Sequence, residues 1–101
     1  MPQSIVTIVD AQLESAREAE LLEGYRRLTS SAWPEGLLRT ELLRGQNGAW
    51  RVASTWRDKD AVIALRATGV RPAALMLFES LGATQTHAVF TVEQAYTEPA
   101  K

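Results

Sequence analysis

The chain has no cysteine and a single histidine among its 101 residues, and it has no long apolar run. Without cysteine there is no disulfide scaffold and no thiolate chemistry, and the composition fits a reducing cytoplasm, the compartment expected here. One histidine leaves only carboxylates as further metal ligands, and none of these falls at ligand spacing, so no metal is expected. No segment approaches the ~20 apolar residues that a membrane span needs. The opening MPQSIVTIVD lacks a positive n-region, so no signal peptide is expected. The formal net charge is -1 with no basic run, which argues against nucleic acid or an anionic membrane as partner. The glycines form neither GxGxxG nor a phosphate-binding loop, and Ser54, Thr84 and Thr86 have no base placed at a recognisable spacing. No cofactor is expected.

What remains is an ordinary folded composition, 46% hydrophobic and 23% charged. The length suits one domain, taken as residues 1–96, with a disordered tail over 97–101. Ser4 to Asp10 is apolar on both parities (Ile5 and Val9, Val6 and Ile8) and reads as a strand covered on both sides. Asp10 is placed as N-cap of a long helix. Its apolar stripe would be Leu13, Ala16, Ala19, Leu22, Tyr25, Leu28 and Ala32, with Glu23 and Arg27 paired at i,i+4 on the solvated face. Gly24 in mid-helix costs roughly 1 kcal/mol against Ala, which suggests that another backbone comes close there.

Trp33-Pro34-Glu35-Gly36 breaks the helix, with Trp33 read as a hinge or interface plug. Two strands joined at Asn47-Gly48 follow, and they run directly into a helix starting at Asp58. A two-residue turn would pair Leu43 with Val52 and Arg39 with Trp56. Leu37, Arg39, Glu41 and Leu43 would then share a face with Trp50, Val52, Ser54 and Trp56. The same register sets Arg44 against Arg51, which is unfavourable without an intervening acid.

A short helix with Ala61, Val62 and Leu65 inward ends at Thr68-Gly69. Pro72 opens a third helix, apolar all round from Ala73 to Phe78 and closed by Gly82. Thr84 to Tyr96 is the last strand. The order β-α-β-β-α-α-β predicts an α+β fold, a ferredoxin-like antiparallel sheet with helices on one face. The open face needs a cover, and a second copy is the simplest one.

The Pro34-Glu35-Gly36-Leu37 entry, the GxWRVxxxW pattern from Gly48 to Trp56, the passage Trp56 to Ala61 and the closing Leu81 to Val92 resemble the antibiotic biosynthesis monooxygenase family. The resemblance runs from about Ser4 to Tyr96 and implies a dimeric α+β barrel. Trp56 matches the tryptophan lining the substrate pocket of the polyketide oxygenases of that family. Their asparagine four residues earlier is Val52 here, and their tyrosine six residues later is Val62. The haem-degrading branch uses an asparagine on the first strand, a second tryptophan and a histidine. This chain has no asparagine in Ser4–Asp10, and the other two positions fall at Leu65 and about Leu75.

The resemblance therefore implies a homodimer that oxidises a small reduced aromatic (a phenol, quinol or anthrone-like compound) with oxygen and no cofactor. Trp56 would stack on the ring, Trp50 would form a wall beside Val52, Val62 and Leu65, and Arg39 would stabilise the oxyanion. His87 and Glu41 are the candidate bases. Each has a plain structural alternative: core aromatics for Trp56 and Trp50, an edge ion pair for Arg39 and Glu41, and a structural strand histidine for His87. Arg71 guards a pocket mouth or is an exposed cap-region arginine. A non-catalytic small-molecule-binding dimer is the second functional reading. A structural domain is the third.

Overall fold

The computed structural model describes residues 3–31, 33–69 and 71–99. Ala32, assigned to the helix stripe, and the end of the expected tail lie outside the described residues. The elements are β1 (Ile5–Gln12), a 3-10 turn (Ser15–Arg17), α1 (Glu18–Thr29), β2 (Leu37–Arg44), β3 (Ala49–Trp56), α2 (Lys59–Ala67), α3 (Ala73–Ser80) and β4 (Gln85–Thr91). The strands form one sheet in the order β2-β3-β1-β4, and every neighbouring pair is antiparallel. This is the ferredoxin-like α+β arrangement that the element order predicts.

The first strand is longer than its apolar run suggested. Val9, Ala11 and Leu13 are all buried, so the period of two continues past Asp10, and the Leu13 amide donates to the Gly48 carbonyl at 2.9 Å. Asp10 is therefore a strand residue and not a helix cap. Its carboxylate receives the Arg51 Nε at 2.6 Å and Nη2 at 3.1 Å from the neighbouring strand. The helix proper begins at Glu18, and its inward stripe is rotated from the expected one. Leu21 is wholly buried while Leu22 is 48% exposed, because the stripe is set by contact with α3. A Cβ on Gly24 would stand 2.5 Å from Leu77 Cδ1, so the close approach is by a side chain and not a backbone. Glu23 pairs with Arg26 one turn on, not with Arg27.

The β2–β3 hairpin departs from expectation by one residue, with large consequences. Asn47 and Gly48 both have positive φ, 56° and 80°, as a tight hairpin turn of this kind requires. The Ala49 amide donates to the Gln46 carbonyl, but the Gly45 amide also donates to the Ala49 carbonyl. Gln46 is thus an extra residue, and the ladder pairs Leu42 with Val52, Thr40 with Ser54 and Arg44 with Trp50. A shift of one position exchanges the faces of a strand. Thr40, Leu42 and Arg44 accompany the tryptophans, and Arg39, Glu41 and Leu43 face the other way. An irregularity between Leu37 and Arg39 then brings Leu37 opposite Trp56. The feared Arg44–Arg51 clash does not arise. Arg51 has Asp10, and the Arg44 guanidinium lies 4.4 Å from the Trp50 ring centroid, a favourable cation–π placement.

Asp58 caps α2 as expected, its carboxylate accepting from the Ala61 amide at 2.9 Å. In α3, Phe78 is wholly buried but Met76 is 47% exposed, so this chain covers only one side of that helix. The last strand stops at Thr91, well short of Tyr96. Two apolar clusters separate the sheet from the helices. One gathers Val9, Leu21, Trp50, Val52 and Phe78. The other gathers Ile5, Trp56, Ala61 and Val62.

Candidate functional site

The register places four cross-strand rows on the helix side of the sheet, and three of them frame the site. Leu42, Val52, Val9 and His87 form one row, and Leu37, Trp56, Ile5 and Thr91 form another. Between them runs Thr40, Ser54, Thr7 and Val89. The outer rows belong to different apolar clusters, and the polar row marks the seam where the two meet. Over this seam lies a cavity of about 220 Å³, roofed by residues of α1, α2 and the segment opening α3.

Its walls are mostly apolar: Val9, Val52, Val62, Leu65 and Leu75, with Trp56 at one side. Trp33 also lines it and is 51% exposed, which sets that indole at the mouth. Trp33 Nε1 donates to the Leu37 carbonyl at 2.6 Å, so the hinge expected there is pinned to the start of β2. The Trp56 indole N–H donates to Thr7 Oγ1 at 3.1 Å. The Tyr25 hydroxyl reaches down from α1 to Thr40 Oγ1 at 3.0 Å, and Ser54 Oγ is hydrogen-bonded to the same oxygen at 3.1 Å. His87 lines the cavity from β4, and Arg66, at the end of α2, is the one lysine or arginine among the described residues that does so.

The structure thus brings Trp56, Val52, Val62, Leu65 and His87 to one cavity. It does not bring Trp50, Arg39 or Glu41 there. Trp50 is 3% exposed in the other cluster, packed with Leu21 and Phe78. Arg39 and Glu41 sit on the open face, paired with each other at 2.7 Å and both well exposed. The extra residue at Gln46 is the physical reason for both departures on β2. Arg71 pairs with Glu79 at 2.8 Å and does not line the cavity. Sequence reasoning passed over Tyr25, Thr40 and Arg66. Tyr25 lay in the expected helix stripe, and only the observed register reveals Thr40 beside Ser54. Among the described residues no group of three or more potential metal-ligating side chains is found, and no helix is long and apolar enough to cross a membrane.

The antiparallel ferredoxin-like sheet is the fold of antibiotic biosynthesis monooxygenase-like proteins, solved structures of which superpose over nearly the whole chain. SnoaB, a cofactor-independent oxygenase from Streptomyces nogalater, matches in an asparagine-to-alanine mutant with a TM-score of 0.71 and 24% identity, covering 95% of this chain and 99% of that one. A candidate antibiotic biosynthesis monooxygenase from Deinococcus radiodurans matches with a TM-score of 0.70 and 11% identity over 95% and 99% of the two chains. A protein of unknown function from Nitrosomonas europaea gives 0.70 at 17% identity, covering 97% of each. At these identities the likeness establishes the fold. No protein-family model and no curated protein matches the sequence.

Proposed function

We propose that the protein is a cofactor-independent monooxygenase of a small reduced aromatic, a phenol, quinol or anthrone-like compound, acting as a cytoplasmic homodimer. The observation that carries this reading is the cavity itself: apolar walls, the Trp56 indole held by Thr7, and one imidazole and one guanidinium on its lining. The likeness in fold to a cofactor-independent oxygenase supports it.

In this reading His87 takes the proton of the bound phenol or enol, and Arg66 offsets the charge of the resulting anion. Arg66 takes the part expected of Arg39. Val52 and Val62 are buried and keep water from the ring, while His87 and Arg66 stand on the exposed side of the cavity. The anion supplies the electrons for oxygen directly. Where a ring methylene becomes a carbonyl, the substrate gives up four electrons. One oxygen atom enters the product, and the other leaves as water with the two methylene hydrogens. No external reductant is needed. The open face of the sheet, with Val6, Ile8 and Ala53 half-buried and Phe90 57% exposed, is where a second copy packs.

The test is oxygen uptake with a panel of naphthols, quinols and anthrones, with 18O2 labelling of the product. Turnover that incorporates one labelled atom and falls at least tenfold in His87→Ala supports the proposal. Saturable binding without oxygen uptake supports the alternative, a non-catalytic small-molecule-binding dimer of the same fold.

A further inference from the structure

The floor of the cavity is polar where a packed core would be apolar. Thr40, Ser54 and Thr7 are direct cross-strand neighbours, all three line the cavity, and they sit between two rows of Leu, Ile, Val and Trp. Their hydrogen bonds are lopsided. Tyr25, Thr40 and Ser54 form a chain of three hydroxyls joined by two contacts, 3.0 and 3.1 Å, so three protons serve two hydrogen bonds and one is left over whichever way they turn. Thr7 Oγ1 accepts from the Trp56 indole. The Thr7 proton and the spare proton of that hydroxyl chain have no protein acceptor among the described residues. Two half-buried O–H donors are therefore left facing an apolar space. Such groups are unfavourable there unless something in that space accepts from them.

We propose that this hydroxyl row is an oxygen-recognition element: Thr40 and Thr7 donate hydrogen bonds to acceptor oxygens on one edge of a ring lying against Trp56. The inference rests on the reading of the cavity as an aromatic-ligand site and adds the chemistry of the ligand. The edge facing the sheet carries phenolate, phenol or carbonyl oxygen and is not plain hydrocarbon. Tyr25 and Ser54 are positioning residues: with a ligand oxygen in place both donate to Thr40, and the proton presented to the cavity is that of Thr40. The size of the space narrows the ligand further. Drug-sized ligands occupy about 300–1,000 Å³, and a cavity of about 220 Å³ suits one or two fused rings.

The experiment is a titration of the full chain, read by tryptophan fluorescence and calorimetry, with 1-naphthol and its near-isostere 1-methylnaphthalene. Wild type, Thr40→Val, Thr40→Ser and Thr7→Val are compared, with a thermal melt of each. One or two neutral hydrogen bonds predict about a three- to tenfold preference of wild type for the naphthol. That preference should shrink toward unity in Thr40→Val and return in Thr40→Ser. Thr7→Val supplies the same test if Thr40→Val does not fold. Equal binding of the two probes to wild type overturns the hydroxyl-row inference and leaves the aromatic cavity standing. A preference that survives in both valine variants also overturns it. Failure of both probes to bind wild type overturns the reading of the cavity and this inference with it.

Discussion

The indole N–H of Trp56 on β3 donates to the hydroxyl of Thr7 on β1 at 3.1 Å, holding the ring beside the cavity. The other tryptophan of the same strand has no such partner. The Trp50 N–H is buried without an acceptor among the described residues. The two Trp→Phe changes should therefore differ in kind. Trp56→Phe loses a hydrogen bond worth about 1 kcal/mol and frees the Thr7 oxygen. It is expected to weaken aromatic binding severalfold with a modest loss of stability. Trp50→Phe removes an unsatisfied donor that costs about 1–3 kcal/mol, which offsets the lost packing. Near-wild-type stability and unchanged ligand affinity are expected, as checked by denaturant melts and fluorescence titration.

Arg66 and Arg39 separate the cavity from the open face. Arg66→Gln is expected to lower turnover of a phenolic substrate by tenfold or more while leaving the melting temperature within a few degrees. Arg39→Ala and Glu41→Ala break only an exposed pair, 66% and 43% exposed, worth at most about 1 kcal/mol. Steady-state oxygen uptake should be unchanged in both.

Gly24 and Leu77 hold α1 against α3. Gly24→Ala gains about 1 kcal/mol of helix propensity, but the new methyl meets Leu77 Cδ1 at 2.5 Å, and overpacking of this kind costs about 1–3 kcal/mol. Leu77 Cδ1 is the free end of a half-buried side chain and can turn aside, so the two effects nearly cancel and a net change within about 1 kcal/mol is expected. In the Leu77→Ala background the same change should become stabilising, and a double-mutant cycle by urea unfolding reads that difference directly.

The Asp58 carboxylate caps α2 through the Ala61 amide, and Asp58→Ala should cost about 1 kcal/mol. Because α2 carries Val62, Leu65 and Arg66 into the cavity, a parallel loss of ligand affinity is expected in titrations below the melting transition.

Where the chain signals its structure by composition, the sequence is readable. Asp58 before an apolar-periodic run, Gly82 after one, and Asn47-Gly48 between two alternating runs each announce a boundary by local chemistry alone. The cavity residues Trp56, Val52, Val62 and His87 came together because period-two and period-3.6 patterns place them on inward faces. Two features resisted. The single extra residue at Gln46 has no composition signal, yet it exchanges the faces of β2 and carries Arg39 and Glu41 away from the tryptophans. The start of α1 was misplaced because Asp10 has the chemistry of a cap, whereas its carboxylate is engaged by Arg51 across the sheet. Both are tertiary pairings that override local preference. The hydroxyl row could not be seen before the true register was known, since Thr40 stood on the wrong face.

The most direct test of the central claim, that the cavity beside Trp56 takes an aromatic ligand, is a titration of 15N-labelled protein with 1-naphthol. Indole N–H resonances are followed by heteronuclear NMR and assigned through the Trp→Phe variants. The account expects a saturable shift of the Trp56 resonance, with Trp33 at the mouth also moving and Trp50 still. A shift confined to Trp50, or no saturable shift at Trp56, would contradict it.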